Sequence, residues 1–297
     1  MTDVVIIGAG CAGLTAALYV ARAGKSVTVL EQEAVGGQIA SSPRVENYPG
    51  IPEISGAAFS DALCAQAEAF GANLDCSCVT KVSRGESGFT VHTEDGDILC
   101  RAVILATGAK PRKLGLQNED DLRGVSYCAM CDGAFYKGMD VAVVGGGSAA
   151  LQSAEYLARL CKSVTMIHRR DSFRGESALF TRVSALENVS FVLNARVTAL
   201  LGEASLNGLQ IMDADGKTRE LRVAGLFVLI GREPDNGAFS PLVALDEHGY
   251  ILAGEDCVTS CPGLFAAGDC RVKAIRQLTT AAADGTVAAM NALHFIG

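Results

Sequence analysis

The sequence contains no run approaching the 18 or so apolar residues that a membrane-spanning helix needs, because glycines interrupt every candidate. It opens Met1-Thr2-Asp3 and enters an apolar strand at once, without the basic start and cleavage site of a secretory leader. A cytoplasmic protein is expected. Positive charge is short: 25 Lys and Arg stand against 33 Asp and Glu, a net charge of −8. General nucleic-acid binding, which needs a basic surface to neutralise phosphates, is thereby excluded; a local basic cluster for a small anion is not. Histidine is scarce: His92, His168, His248 and His294 are the only four, and no two stand at metal-ligand spacing. With one Cys-x-x-Cys in the chain, a four-ligand zinc site lacks half of its donors. The eleven cysteines are an odd number, unlike the even set of a secreted disulfide framework. Cys64, Cys100 and Cys161 sit in apolar patterns and read as small buried hydrophobes. Tryptophan is absent, and the 33 glycines are scattered rather than periodic, so collagen and low complexity are excluded. What remains is a soluble globular chain of 297 residues, long enough for two domains.

A repeat organises it. Residues 4–33, VVIIGAGCAGLTAALYVARAGKSVTVLEQE, match residues 141–170, VAVVGGGSAALQSAEYLARLCKSVTMIHRR, at 13 of 30 positions without a gap. Each copy reads as strand, glycine turn, helix, strand, the opening of a Rossmann-like dinucleotide-binding fold. Gly8, Gly10 and Gly13 give a tight turn, close approach to a pyrophosphate and close helix–strand packing. Gly145, Gly147 and Ala150 take those places in the second copy, and each helix N-terminus offers free N–H groups to phosphate.

The copies differ where a ribose is read. Glu31 ends the second strand of the first copy, and a carboxylate there accepts hydrogen bonds from ribose hydroxyls. Its counterpart is His168, followed by Arg169, Arg170 and Arg174. Losing the acid and gaining three guanidinium groups suits a 2′-phosphate. The first copy therefore predicts an unphosphorylated adenine dinucleotide and the second NADPH. Farther on, residues 263–293 read as strand, Gly268-Asp269, loop and small-residue helix. An Asp after a strand can hold the hydroxyls of a ribityl chain, and the helix after Arg276-Gln277 would aim its positive end at a reduced flavin.

CAMCDG, residues 128–133, lies just upstream of the strand at 140–144. A disulfide across three residues closes almost no loop and removes little unfolded-state entropy, so a structural crosslink fits poorly. A redox dithiol fits better, because a Cys-x-x-Cys at a helix start favours the thiolate that attacks disulfides. Asp132 is a candidate proton donor and acceptor.

Together, GAGCAG, GGQIASSPRVENYPG (36–50), ILATGAKPR (104–112), CAMCDG, VVGGGSAA, HRRDSFR and FAAGDCRVKAIRQLTTAA are similar, in order and along the whole chain, to the low-molecular-weight thioredoxin reductases of bacterial type. The resemblance implies an α/β fold of two Rossmann-like domains, the second inserted into the first. The FAD-binding domain would be residues 1–113 plus 243–297, and the NADPH-binding domain with the dithiol residues 114–242. By the same resemblance FAD lies against Gly8, Gly10, Cys11, Ala12, Glu31, Gln32, Gly37, Gln38, Asn47, Val79, Ala106, Thr107 and Gly108. Gly268, Asp269, Arg276, Gln277 and Leu278 complete that site, and NADPH meets Gly145, Gly147, Ser148, Ala149, His168 and the three arginines. Cys131 is the implied flavin-proximal thiol, Cys128 the one that exchanges with a thioredoxin-like small protein, and Asp132 the acid. A homodimer is implied as well.

Because one inserted domain carries both the NADPH site and the dithiol, it is expected to swing on connections near 110–115 and 238–243. The chain departs from the family at Ser148, Ala149 and Gln152, where relatives carry Asn or Asp, a hydroxyl residue and Glu. Two alternatives stay open: the same flavin and dithiol chemistry fed by ferredoxin or run as a dithiol oxidase, and a non-enzymatic NADP(H) redox sensor.

Overall fold

The computed structural model describes residues 1–42 and 44–297; Pro43, inside the 36–50 motif, lies outside the described residues. The chain divides into two compact units, Met1–Lys110 with Glu233–Gly297, and Pro111–Arg232.

The first unit begins with β1 (Thr2–Ile7), α1 (Cys11–Arg22), β2 (Val27–Leu30), α2 (Gly56–Ala69) and β3 (Asn73–Asp75). An antiparallel meander follows: β4 (Val79–Arg84), β5 (Phe89–Thr93) and β6 (Gly96–Leu105). Its exposed face is tied by Ser83 Oγ to His92 Nε2 and His92 Nδ1 to Asp97 Oδ1, both 2.8 Å. The chain leaves this unit through β7 (Lys110–Pro111) and returns through β16 (Arg232–Glu233), two short strands that pair with each other.

Between these crossings the second unit runs β8 (Val125–Ser126), α3 (Ala129–Asp132), β9 (Asp140–Val144), α4 (Ser148–Ala158) and β10 (Ser163–Ile167). Then come α5 (Ser177–Ser184), β11 (Val189–Val192), β12 (Ala195–Leu201), β13 (Gly208–Asp213), β14 (Thr218–Leu221) and β15 (Gly225–Val228). The chain finishes in the first unit with β17 (Leu264–Ala266) and α6 (Leu278–Ile296).

Each unit is built on a parallel sheet. The order is β3-β2-β1-β6 with β17 beside β6 in the first unit, and β11-β10-β9-β15-β8 in the second. The strands are apolar on both faces because both are covered, by helices on one face and, on the other, by β4, β5 and residues 239–270 in the first unit and by β12 and β13 in the second: Val4, Val5 and Ile6 of β1, and Val141, Ala142 and Val143 of β9, are fully buried. One core of the first unit packs α1 and α6 on β1 and β6 through small residues. A Cβ on Gly285 of α6 would lie 2.2 Å from the Ala12 carbonyl oxygen, so the two helices meet almost backbone to backbone.

The return crossing, at 232–233, lies ten residues before the 242/243 boundary expected from sequence. Phe239 and Val243 are buried in a core of the first unit, and Asn236, 1 % exposed, donates to Gly249 O and Cys270 O there, both at 2.9 Å. Packing claims this segment for the first unit. Cys64 is only half-buried, on the flank of α2, whereas Cys100 and Cys161 are buried as expected. Among the described residues no helix is long and apolar enough to cross a membrane.

Candidate active site

Register places the ligand-facing residues of the first unit on one sheet edge. Ile7 pairs with Leu30 and Leu105, Leu30 with Asp75, and Leu105 with Ala266. Gly8, Glu31, Ala106 and Ala267 therefore leave the sheet at the same level, the carboxyl edge where open α/β sheets bind ligands. Gly8 turns with φ +106°, and a Cβ there would lie 2.4 Å from Ala106 O. A Cβ on Gly13 would sit 1.9 Å from Gly8 O, the close helix–strand packing expected of the third glycine. Gly10 faces open ground, with Gly36 O at 4.0 Å the nearest atom to a Cβ, and α1 starts on it without a side-chain cap.

Around this turn stand the other residues predicted from sequence. Glu31 Oε2 accepts from Ala9 N at 2.8 Å. Gly36 N donates to Ala9 O at 2.8 Å, bringing Gly37 against Gly10, and Gln38 donates to Ala109 O. Asn47 donates to Gln277 Oε1 at 3.2 Å, and Gln277 caps α6 through a reciprocal bond with Thr280. Cys11 and Ala12 open α1, Cys11 Sγ reaching Leu278 O at 3.5 Å, while Arg276 lies over the Tyr250 ring at 4.4 Å. Val79 starts β4, half-buried; Thr107 and Gly108 follow β6, and Gly268 and Asp269 follow β17.

Two residues not singled out by sequence hold this edge in shape. Asn236 accepts from Thr107 Oγ1 at 3.0 Å. Asp284 on α6 accepts from Gly268 N at 2.9 Å, from Arg271 at 2.8 and 2.9 Å, and from Lys273 at 2.8 Å. Burial pushes the Asp284 carboxyl up, but the bonds from Arg271 and Lys273 outweigh it and hold the pKa low.

The second unit repeats the arrangement. Val144 pairs with Ile167 and Val228, so Gly145, His168 and Leu229 emerge together. Gly145 turns with φ +154°, its Cβ position 2.3 Å from Leu229 O. Gly147 has nothing within 4 Å of a Cβ, and α4 starts on it uncapped, Ser148 and Ala149 forming its first turn. Arg169, Arg170 and Arg174 are exposed and make no ion pair among the described residues. His168 parts company with them. Its ring is 6 % exposed, stacks on Phe173 at 5.2 Å and lies over Gly146. Burial lowers its pKa, aided by the nearby arginines, and keeps it neutral. It supports the glycine turn, whereas the guanidinium groups face outward.

The dithiol lies on that same edge. Ser126 of β8 pairs with Phe227 of β15, which pairs with Val143, so Cys128 stands level with Gly145 two strands away, about 10 Å across the sheet. Cys128 and Cys131 form a disulfide, S–S 2.06 Å; Cys131 is exposed and Cys128 half-buried. Ser126, missed by sequence, accepts from Cys128 N at 3.1 Å and donates to Asp132 Oδ2 at 2.6 Å. Burial raises the Asp132 pKa, and the Ser126 bond opposes it. The acid thus holds its proton more tightly than a free carboxyl, and Ser126 ties it to the Cys128 backbone. Elsewhere burial pushes the thiols of Cys11 and Cys270 up to about 11 and those of Cys100 and Cys257 to about 12, so these are inert hydrophobes.

Two glycine-turn cradles of dinucleotide type and a disulfide with an adjacent half-buried acid define a nucleotide-dependent redox protein that works through a dithiol. The chain belongs to the pyridine nucleotide-disulphide oxidoreductase family, whose model matches residues 2–285. It is 41 % identical over 298 residues to a thioredoxin reductase of Listeria monocytogenes (99 % of this chain, 93 % of the relative). It is 40 % identical over 298 residues to that of Bacillus subtilis (99 % and 94 %). The crystal structure of thioredoxin reductase from Streptococcus pyogenes superposes with a TM-score of 0.94 at 39 % identity, covering 99 % of this chain and 98 % of that one.

Proposed function

We propose that the chain is an NADPH-dependent thioredoxin-disulfide reductase, a cytoplasmic, homodimeric flavoprotein. The observation that carries this reading is the Cys128–Cys131 disulfide on the same sheet edge as the second glycine turn, with the half-buried Asp132 next to Cys131 in the chain.

The residues of the first unit fit FAD: Gly10 leaves room for a pyrophosphate before an uncapped helix, Glu31 reads a ribose, and Asp269 follows β17 to meet a ribityl chain. The second unit fits NADPH, with Gly147 open before α4 and Arg169, Arg170 and Arg174 free to grip the 2′-phosphate. When bound, FAD relays two electrons from NADPH to the disulfide.

The chain's own groups do the rest. Reduction opens Cys128–Cys131 to a dithiol. Cys128 attacks the partner's disulfide to form a mixed disulfide; Cys131 then attacks Cys128, releasing the partner as a dithiol and restoring the pair. Asp132 gives its proton to the departing thiolate, and Ser126 holds that carboxyl in reach.

Purified protein supplied with NADPH and oxidised thioredoxin tests the reading by counting thioredoxin thiols formed. NADPH consumption that yields none refutes it. Reduction by ferredoxin with indifference to NADPH does so as well, and makes Ser148, Ala149 and Gln152 the informative positions.

A further inference from the structure

Among the nine free cysteines, Cys64, Cys76 and Cys78 are not buried. Two of these form a Cys-Ser-Cys run between β3 and β4, where the chain leaves the carboxyl edge of the first sheet. Asp75 pairs with Leu30, and Glu31 N donates to Asp75 O at 3.0 Å, so Cys76 follows directly on the residue bound to Glu31. Cys78 Sγ donates to Gln32 Oε1 at 3.5 Å. The run therefore borders the Glu31-Gln32 step.

Burial alternates along it: Cys76 is exposed, Ser77 is 5 % exposed, and Cys78 is half-buried. Only the middle residue is buried, the alternation an extended connection between two strands gives, so both thiols remain reachable from solvent. Residues two apart in an extended chain have Cα atoms about 6.6 Å apart. That lies near the outer limit, about 6.8 Å, for a disulfide. Two metal–sulfur bonds of about 2.3 Å span about 4.6 Å, which such a pair reaches with little bending. No group of three potential ligands exists among the described residues, which excludes a tetrahedral zinc site. A pair of thiolates selects a soft cation instead.

We propose that Cys76 and Cys78 form a two-thiolate site for a soft monovalent cation such as Cu(I), and that its occupation opposes dinucleotide binding at Glu31 and Gln32. Each thiol releases its proton to solvent, two metal–sulfur bonds form, and the Cys78–Gln32 hydrogen bond breaks; no electron is transferred. Two thiolates and one monovalent cation leave a net charge of −1 beside the Glu31 carboxylate. Negative charge there disfavours an anionic dinucleotide. The coupling, but not the metal site, rests on the FAD reading of the first unit.

The test uses the full chain carrying Cys128→Ser and Cys131→Ser, loaded with FAD, titrated anaerobically with Cu(I) against a competing chelator. One Cu(I) per chain is expected, lost when Cys76→Ser and Cys78→Ser are added. Cu(I) should raise the FAD dissociation constant at least tenfold in the first protein and leave it unchanged in the second. A copper stoichiometry indifferent to the two added serines overturns the site. Stoichiometric copper with unchanged FAD affinity overturns the coupling. A chain that takes up no FAD even without copper refutes the flavin reading, while the copper count still decides the site.

Discussion

Replacing Arg169 and Arg170 by Ala should strip the protein of its preference for NADPH. Both side chains are exposed and lack a carboxylate partner among the described residues, unlike Arg182, which binds Glu155 at 3.1 Å. Their removal breaks no internal contact, so stability should change by no more than about 0.5 kcal/mol. A charge-assisted hydrogen bond to phosphate contributes on the order of 1.5–3 kcal/mol. Exposure and salt screening place these two at the lower end. Each single substitution should then weaken NADPH about tenfold and the double one about a hundredfold, with NADH nearly unchanged. Titration with NADPH and NADH at low and high salt reads this directly, and the wild-type advantage for NADPH should shrink as salt rises. Equal losses for both nucleotides, or a preference indifferent to salt, would show that the arginines are surface charge and nothing more.

Further outcomes follow from packing and charge. Gly13→Ala should displace α1 from β1, costing on the order of 1–3 kcal/mol and most of the FAD binding, because the new Cβ would stand 1.9 Å from Gly8 O. Gly237→Ala, with nothing within 4 Å, should change neither in a thermal melt or a FAD titration. Asp132→Asn should abolish disulfide reduction yet raise the melting temperature at neutral pH. Burial lifts the Asp132 pKa above its unfolded value, so ionisation costs stability as pH rises through the folded pKa, and the amide escapes that cost. Asp284→Asn should cost about 3–5 kcal/mol, because it removes the carboxylate that the buried Arg271 and Lys273 share and leaves Arg271 only the exposed Glu255 at 3.4 Å. Since the folded pKa of Asp284 is lowered, its contribution is complete above the ordinary carboxylate range and lost as pH falls through the folded value. Melts of the wild type and Asp284→Asn should converge in acid.

What was legible in the sequence was chemistry written in local spacing. The glycines of both turns, Glu31, the arginines and Cys-x-x-Cys each sit within one strand–turn–helix unit, where spacing dictates geometry. Ser126 escaped because nothing in Val-Ser-Tyr-Cys distinguishes a buried serine that joins Cys128 N to Asp132. Asn236 and Asp284 act on segments more than ten residues away, so their roles exist only once the chain has folded. His168 was grouped with the arginines by adjacency, yet β10 delivers its ring inward between Phe173 and Gly146. The return crossing was misplaced for a similar reason: Glu233–Val243 has the prolines and glycine of a linker, but Asn236, Phe239 and Val243 are buried in the first unit.

The most direct test of the account is covalent trapping by single cysteine variants mixed with oxidised thioredoxin after reduction. Cys131→Ser keeps the exchanging thiol but has no resolving one, so it should accumulate a mixed disulfide through Cys128, visible by mass spectrometry as a one-to-one complex. Cys128→Ser should form none, and both should lose thioredoxin reduction while NADPH still bleaches the flavin. Trapping through Cys131 instead would reverse the two roles, and full disulfide-reductase activity in both variants would contradict the redox function of the pair.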